Sequence, residues 1–331
     1  MTEVSNSIPK KKFSIMRHYR PLIAYAALIL LLIVYRSLSP IVFRLPVITA
    51  MFNQGMALAI TSIAQTMVIL TAGIDLSIGS IVTLSNCVAV TNMQPGVAPT
   101  LGVVILVLLV GSLAGAINGF LVAFGRLPPI IVTLATASIF NGIALYVLPN
   151  PGGFVPEWYT NALTGRVFDV IPTALILLIV LFVFVWTPLK RSPLGQAIYA
   201  VGSSEASARM SGVNVRRTKL LTYTFAGTLC ALAALFLTAQ TASGDATQGG
   251  VYTLNSIAAT VIGGTSFTGG VGGAAGTIAG AYVFAIIPNV LFAARVSPFM
   301  KELLQGAVLV ITISLGAARV FRVKNRLDIM K

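Results

Sequence analysis

Long apolar runs are the feature that most constrains this chain. Candidate runs cover residues 22–37, 47–71, 78–93, 101–124, 129–148, 170–189, 220–240, 254–264, 271–294 and 303–318. A hydrocarbon core about 30 Å thick needs about 20 apolar residues for each spanning helix, and only 9% of the residues are charged. The pattern predicts an all-α, polytopic integral membrane protein with about ten transmembrane helices.

Two of these runs are weaker than the others. Run 78–93 is short and contains Asn86, Thr91 and Asn92, and run 254–264 ends in glycines. Each is expected to be a broken or partly re-entrant helix, because such backbone survives at membrane depth only where protein or water satisfies its amides. The count reaches ten if runs 254–264 and 271–294 form separate helices.

Basic residues give the expected orientation. Of 22 Lys and Arg, five precede the first run, six lie in 190–219 and five follow the last run, in a chain whose net charge is +14. Basic loops mark the cytoplasmic side and bind its anionic lipid, and ten spans put all three clusters on that side. We expect a cytoplasmic N-terminal segment 1–20, a transmembrane domain 21–318 with a cytoplasmic loop 190–219, and a cytoplasmic tail 319–331.

The start of the chain allows a second interpretation. A basic stretch followed by an apolar run also describes a secretory signal peptide, and Ser37-Leu38-Ser39 has the spacing of a cleavage site. Cleavage there would make Pro40 the new N-terminal residue, which argues against cleavage. We therefore expect an uncleaved first span.

The sequence lacks the patterns of several kinds of chemistry. It has no G-x-x-x-x-G-K-[ST] and no Gly-Lys pair, so it has no phosphate-binding loop for ATP. The stretch 270–275 fits a G-x-G-x-x-A fingerprint, but no acidic residue follows about 20 positions on. Cys87, Cys230 and His18 form no metal-ligand spacing. We expect no catalytic residue, no metal, no cofactor and no nucleic-acid partner.

Glycines mark two regions of close packing or hinge motion. Gly111, Gly115 and Gly119 recur at a spacing of four, and small residues let helices approach in lipid. This predicts a packing ridge that turns Asn118 toward protein. The run 263–280 contains eight glycines, among them the hinge or packing candidates Gly263, Gly264, Gly269 and Gly270. It is either a broken helix near the transport path or a site of close packing.

Polar residues recur within the apolar runs without forming a ladder of ion pairs. They are Asn53, Gln54, Gln65, Thr66, Asn118, Thr133, Thr136, Asn141, Asn255 and Asn289. An amide offers both donors and acceptors, which suits the hydroxyls of a neutral polyol and does not suit a proton relay. As a set they favour a neutral hydrophilic solute, although any one of them could simply bond a neighbouring helix.

Asp75 is the one acidic residue flanked on both sides by spans with almost no loop. A carboxylate at the centre of a spanning helix costs about 2.5–3.5 kcal/mol, so protein groups are expected to satisfy it. We predict that it accepts from the amides of Ser77 or Ile78 at a helix start, with Gly73 permitting the preceding turn. The alternative is direct contact with the solute or a gate, and Gly79 is a further hinge or packing candidate.

The loop 190–219 contains the signals of a short helix. Ser203 or Ser204 can cap its start, Glu205 and Arg209 stand at i,i+4, and Gly212 supplies a stop. Ala206 and Met210 add a small apolar stripe. A helix of about two turns is marginal alone in water, but two spans would hold it as a knob that docks on another protein. The alternative is a solvated charged loop.

Four blocks together resemble a known family. They are 73–80, 126–134, 195–213 and 257–265, and they are similar to the permeases of bacterial ATP-binding-cassette importers for ribose-type monosaccharides, in the branched-chain amino acid/ribose permease superfamily. The resemblance implies an inner-membrane subunit that pairs with an identical or paralogous permease. It also implies a cytoplasmic ATPase bound through the helix at 203–213, and a periplasmic sugar-binding protein.

The resemblance also implies roles for single residues. The coupling surface would comprise Glu205, Ala208, Arg209, Ser211 and Gly212, to which we add Ser204 and Met210 of the predicted helix. Arg126, Leu127, Pro128 and Pro129 would lie near the inner gate. With these, the candidates for the path or gate are Gln65, Asp75, Ser77, Asn118, Arg126, Pro128, Pro129, Thr133, Asn141 and Asn255.

The chain departs from the family pattern at three places. Ser203-Ser204 stands where Gly-Asn is frequent, Asn141-Gly142 where Arg-Gly is frequent, and Leu254-Asn255-Ser256 lacks a frequent acidic residue. The last two departures remove charges near the path, so the identity of the sugar stays open. We expect a permease that moves a neutral pentose or hexose inward, driven by separate ATPase subunits. The alternative is an ion-coupled secondary transporter, for which only Asp75 could serve as coupling group.

Overall fold

The computed structural model describes residues 15–297 and the single positions 300, 303, 306, 307, 310 and 314. Most of the segment 1–20, most of the predicted span 303–318 and the whole tail 319–331 lie outside the described residues. The helices are α1 (Ile15–Leu38), α2 (Leu45–Leu70), α3 (Ile78–Asn92), α4 (Val97–Ala123), α5 (Pro129–Val147), α6 (Glu157–Thr164), α7 (Thr173–Val180), α8 (Thr187–Arg191), α9 (Pro193–Ser203), α10 (Glu205–Met210), α11 (Val215–Thr241), α12 (Gly250–Ile262) and α13 (Ala274–Ala293).

The predicted apolar runs coincide with helices throughout the described part. Seven segments there are long and apolar enough to cross a membrane: Pro21–Leu38, Leu45–Leu70, Val97–Ala123, Pro129–Val147, Thr173–Arg191, Val215–Thr241 and Ala274–Ala293. The prediction of an all-α polytopic membrane protein is confirmed. The two weak runs became α3 with 15 residues and α12 with 13. At about 1.5 Å per residue each is shorter than the hydrocarbon core is thick.

Three elements were not predicted. Between α5 and α7 lie α6 and an antiparallel hairpin of β1 (Arg166–Val167) and β2 (Ile171–Pro172), with Arg166 opposite Pro172. In the loop 190–219 the short α10 is preceded by α9. Helix α9 has a regular start, because Pro193 occupies its first turn and Ser192 accepts from the amide of Gly195 at 3.1 Å.

Helices α2 and α11 form the centre of the bundle. Every residue of α2 from Gly55 to Leu70 is buried, and α2 packs against α11, α12 and α13. Helix α1 is peripheral and exposes many large apolar side chains. Between α7 and α8 the chain forms a π-helical segment, Leu181–Trp186, where the backbone N–H of Thr187 donates to the carbonyl of Phe182 five residues earlier.

The predicted glycine ridge of α4 lies against α11. A Cβ at Gly111 would come within 2.5 Å of both Ala231 Cβ and the carbonyl oxygen of Gly227, and one at Gly119 would lie 2.8 Å from the carbonyl oxygen of Leu220. A Cβ at Gly115 would collide with the carbonyl oxygen of Tyr223. The two backbones are therefore in direct contact along this crossing, as small residues permit.

Replacing one glycine of this ridge should destabilise the protein, whereas a glycine of the same helix outside the ridge should tolerate a methyl group. We expect Gly115→Ala to lower the free energy of unfolding by about 1–3 kcal/mol, because the methyl forces α4 and α11 apart. Gly102→Ala is the matched control, since no atom lies within 4 Å of a Cβ at Gly102. Thermal unfolding of the detergent-purified variants measures the difference, and equal melting of the two variants would contradict the backbone contact.

Candidate functional site

Helix α10 is a short exposed helix with a defined start. Ser204 is its N-cap, with extended backbone and a hydroxyl that accepts from the amide of Ser207 at 3.2 Å. Glu205 opens the helix and Arg209 lies in its last turn, which is the favourable placement for the helix dipole. The capping predicted for Ser204 and the helix predicted between Ser204 and Gly212 are confirmed as structure.

The end of α10 is equally defined. Gly212 has a φ of +81°, its amide donates to the carbonyl of Arg209 at 3.1 Å, and the amide of Val213 donates to Ala208 at 3.0 Å. These two bonds make a Schellman motif, in which a left-handed glycine ends the helix. Ser211 adds a bond from its hydroxyl to the carbonyl of Ser207 at 3.0 Å.

The two faces of α10 differ in chemistry. Ala208 is buried against Val201 and Val215, whereas Met210 is 83% exposed. Glu205 contacts Arg209 at 3.5 Å and Lys219 at 2.7 Å. The pair of Glu205 and Arg209 was predicted and is confirmed, and Lys219 was not predicted because it comes from the next helix. The outer face therefore offers an exposed thioether and a charged pair for a protein contact.

Gly202 fixes α9, and so α10, to the centre of the bundle. A Cβ at Gly202 would collide with the carbonyl oxygen of Leu70, the last residue of α2, and would lie 2.7 Å from the amide nitrogen of Gly270. The amide of Gly270 in turn donates to Leu70 at 3.0 Å. Gly202 belongs to the block 195–213 on which the resemblance rests, but nothing in its sequence context distinguished it from other glycines.

The glycine run 263–280 contains both a helix break and a site of close packing, and its position near the transport path stays a prediction. Helix α12 ends at Ile262 and α13 starts at Ala274. Between them Gly264, Gly269 and Gly270 have φ of +89°, +80° and +68°, values that only glycine adopts without strain. A Cβ at Gly263 would lie 2.5 Å from the carbonyl carbon of Gly276, in the next helix.

Tyr199 holds the same loop from the side of α9. Its hydroxyl donates to the carbonyl of Gly272 at 2.8 Å. Burial raises the pKa of Tyr199 to about 12, so the phenol stays neutral and remains a donor at physiological pH. This contact was missed because a single tyrosine in a loop carries no pattern.

Asp75 lies between α2 and α3 and is satisfied by the start of α3. Its Oδ1 accepts from the amide of Ser77 at 2.8 Å and from the Ser77 hydroxyl at 2.6 Å. The predicted bond from the Ser77 amide is confirmed, but the N-cap of α3 is Ser77 and not Asp75. Asp75 caps the turn one step earlier, as an aspartate does in an Asx-turn.

The role expected for Gly73 in the preceding turn is wrong. The left-handed residue there is Ala72, with a φ of +60°. Gly73 instead leaves room for an aromatic side chain of α11, because a Cβ at Gly73 would lie 2.8 Å from the hydroxyl oxygen of Tyr223. The glycine is required by a neighbouring helix, and the sequence around it did not show which helix that was.

A chain of buried hydrogen bonds extends from Asp75 across the bundle. The Nδ2 of Asn118 donates to the Ser77 hydroxyl at 2.7 Å, and its Oδ1 accepts from Thr136 at 2.7 Å. Thr133 accepts from the amide of Leu76 at 3.0 Å. All of these side chains are at least 95% buried. The chain links the α2–α3 connection to α4 and α5, three elements that the sequence analysis had treated separately.

Some buried polar atoms have no hydrogen-bond partner among the described residues. They include Asp75 Oδ2, on the carboxylate that starts the network, and also both polar atoms of Gln65 and the hydroxyl of Tyr223. Gln65 and Val68 share a face of α2, and Val68 borders the Tyr223 hydroxyl at the Cβ position of Gly73. The Tyr223 hydroxyl therefore lies next to the α2–α3 connection.

The remaining path candidates lie at the surface of this chain. Arg126, Pro128 and Asn141 are exposed, and Pro129 and Asn255 are half-buried. Arg126 has a φ of +56° in the turn between α4 and α5, and Pro128 and Pro129 start α5. The ten candidates therefore separate into five buried inside one subunit, which are Gln65, Asp75, Ser77, Asn118 and Thr133, and five at least partly accessible on its outside.

Helices α3 and α12 meet at glycines near their starts. A Cβ at Gly79 would lie 2.5 Å from the carbonyl oxygen of Gly249, and the amide of Gly249 donates to the Thr83 hydroxyl at 3.1 Å. Further along α3, Asn86 accepts from the amide of Asp245 and donates to Thr238. The sequence analysis used Asn86 only as a sign of a weak helix. In the structure its side chain attaches the non-helical connection 242–249 to α3.

The sequence was compared with known proteins. Residues 47–313 match the family described as branched-chain amino acid transport system / permease component. The chain is 34% identical over 295 residues to the ribose import permease protein RbsC of Haemophilus influenzae, covering 88% of this chain and 91% of that protein. It is 36% identical over 293 residues to RbsC of Bacillus subtilis, with 88% and 91% covered. It is 32% identical over 314 residues to the D-allose transport system permease protein AlsC of Escherichia coli, with 94% and 96% covered. No solved structure matches significantly.

Two substitutions at Asp75 separate a structural role from an ionic one. Asp75→Asn keeps an oxygen that accepts both bonds from Ser77, so we expect unfolding close to wild type. Asp75→Ala leaves the two Ser77 donors without this acceptor, and we expect the free energy of unfolding to fall by about 1–3 kcal/mol.

Thermal unfolding and solute uptake are measured together on the two Asp75 variants. The structural role requires Asp75→Asn to retain uptake as well as stability. Normal unfolding combined with lost uptake in Asp75→Asn would show that the charge itself acts in transport.

Proposed function

The chain belongs to the family of branched-chain amino acid transport system permease components, and from this premise we propose that it moves a neutral pentose or hexose inward, driven by a separate ATPase. It is the permease of an ATP-binding-cassette sugar importer, a transport subunit and not an enzyme, and a multi-pass protein of the bacterial cytoplasmic membrane. Membership of this family supports the proposal over the ion-coupled alternative.

The observation that carries the ATPase proposal is the combination of exposure and anchoring at α10. On its outer face Met210 is 83% exposed, and the side chain of Arg209 is 71% exposed. Its inner face is fixed by Ala208, and α9 is fixed by Gly202 to the end of α2. A surface that binds a moving partner has to be accessible and has to transmit force, and α10 meets both requirements.

The same contacts supply a route from the ATPase to the interior. Leu70 ends α2, and only Thr71 to Ile74 separate it from Asp75 and the buried chain that reaches Thr136 on α5. A displacement of α9 would therefore act on α2, on the loop 263–273 and on α5. ATP binding biases transport only if the ATPase binds the outward- and inward-open states with different affinity.

We further propose that the sugar passes between this chain and a second, identical or paralogous permease. The support is the distribution of polar groups: Asn141 on α5 and Asn255 on α12 lie at the surface of the single subunit, where lipid would leave their amides unsatisfied. Their donors and acceptors suit sugar hydroxyls. The names of the relatives, ribose and D-allose permeases, support a monosaccharide delivered by a periplasmic binding protein.

Neutralising the exposed charge pair of α10 should uncouple transport from ATP hydrolysis. In proteoliposomes that contain the permease, its ATPase and its binding protein, we expect Glu205→Gln/Arg209→Gln to lower ATP-driven sugar uptake at least about tenfold, because charged pairs at interfaces contribute about 1.5 kcal/mol or more. Basal ATP hydrolysis by the free ATPase should not change.

The matched control is Glu157→Gln/Arg166→Gln, which removes the same two charges from exposed positions of α6 and β1. It should retain wild-type uptake. Normal uptake in the α10 variant would refute the docking role, and uptake of ribose or allose by wild type without any ATPase would refute the proposed mechanism.

A further inference from the structure

A large cavity lies between α1, α8, α9 and the loop that joins α12 to α13. Its volume is about 1070 Å³, and its wall includes Trp186, Lys190, Arg191, Tyr199 and the glycines of 263–276. Lys190 and Arg191 form the last turn of α8, and neither pairs with a carboxylate among the described residues. The cavity therefore combines two cations with aromatic side chains that have polar edges.

A second cavity, of about 350 Å³, is lined by residues of α1, α7 and α13 and by the start of α2. Its wall is apolar and includes Leu28, Leu32, Leu178, Ile278 and Ile286. Tyr25 connects the two walls, because it lines the second cavity and its hydroxyl donates at 3.0 Å to the carbonyl of Ala275, a residue of the first wall.

Both cavities have α1 on one side, and together they are called the groove. Their linings on α1 extend from Pro21 to Leu32, which is about 16 Å at 1.5 Å per residue. Half of a hydrocarbon core of about 30 Å is about 15 Å, so this distance is close to the depth of one leaflet. The cations lie at the Pro21 end, at the start of the loop 190–219, and the apolar lining lies further along α1.

We propose that this groove binds a phospholipid with an anionic headgroup, its phosphate between Lys190 and Arg191 and one acyl chain along α1, α7 and α13. The chemistry is complementary at both ends, since basic pockets between spans at the cytoplasmic side attract anionic headgroups. Tryptophan and tyrosine prefer the same depth of the membrane. The headgroup would touch Gly270 to Gly273, the loop that Gly202 and Tyr199 attach to α9.

Tryptophan fluorescence tests this site in the intact chain. The protein contains two tryptophans, and Trp158→Phe leaves Trp186 in the groove wall as the only one. In vesicles of unlabelled lipid, we expect phosphatidylglycerol brominated near the ester ends of its acyl chains, next to the headgroup, to quench Trp186 at low mole fraction. Brominated phosphatidylcholine should quench only in proportion to its bulk fraction.

Charge variants identify the headgroup contact. Lys190→Gln/Arg191→Gln should reduce the preference for the anionic lipid about thirtyfold, because each basic side chain near an anionic surface contributes a factor of about five. Arg216→Gln/Arg217→Gln, at the start of α11 and outside the groove, removes the same charge and should keep the preference. Inorganic phosphate at millimolar concentration should not displace the lipid.

Several results would overturn the proposal. They are equal quenching by both lipids, a preference unchanged in Lys190→Gln/Arg191→Gln, and displacement by inorganic phosphate, which would indicate a site for free anions. Quenching by neither lipid would mean that another protein segment fills the groove. None of these results depends on sugar uptake. The lipid site can therefore be refuted while the proposed transport function is retained, and the transport function can be refuted while the lipid site is retained.

Discussion

Direct contact between helix backbones is the constraint on which this structure depends. Lipid is as apolar as a leucine side chain, so helices in a membrane gain little by burying apolar surface against one another and associate through close packing and hydrogen bonds. In this chain α4 meets α11 where Gly111, Gly115 and Gly119 face Gly227 and its neighbours. Helices α12 and α13 meet in the same way at Gly263 and Gly276. The helices of the bundle are therefore held together at glycines, where the lack of a side chain lets the backbones touch.

Close approach also makes the buried polar chain possible. Asn118 stands on the α4 ridge between Gly115 and Gly119, and it joins Ser77 to Thr136 with two bonds of 2.7 Å. Such short bonds across three elements require their backbones to lie close together. In return, the bonds to Oδ1 lower the cost of burying Asp75 with no cation beside it among the described residues. Packing and polarity therefore stabilise the same region, which follows the end of α2 that Gly202 of α9 contacts.

The sequence was sufficient for features that depend on local chemistry and insufficient for those set by a neighbour. Apolar runs located the spans because a bilayer imposes one length on all of them, and Ser204 with Gly212 located α10 because capping is local. The interpretation of Gly73 was wrong because a glycine is needed there to leave room for Tyr223, which lies about 150 positions away in the sequence. Path candidates such as Gln65 and Asn141 looked alike in sequence, since residue type does not reveal whether a helix face meets protein or the outside.

The π-helical segment Leu181–Trp186 determines the direction in which the side chains of α8 point around the helix axis. Each turn there takes more residues than an α-turn, so Lys190 and Arg191 point in a different direction than a regular continuation of α7 would give them. Removing one residue from Leu181–Trp186 would let the segment relax to ordinary helix. Five residues of α-helix turn through about 500°, nearly the angle that the six wider π-helical residues cover, so the two cations would keep almost their present direction. The extra residue of the π-turn is thus absorbed inside the segment, and the charges of α8 would stay on the same side with or without it.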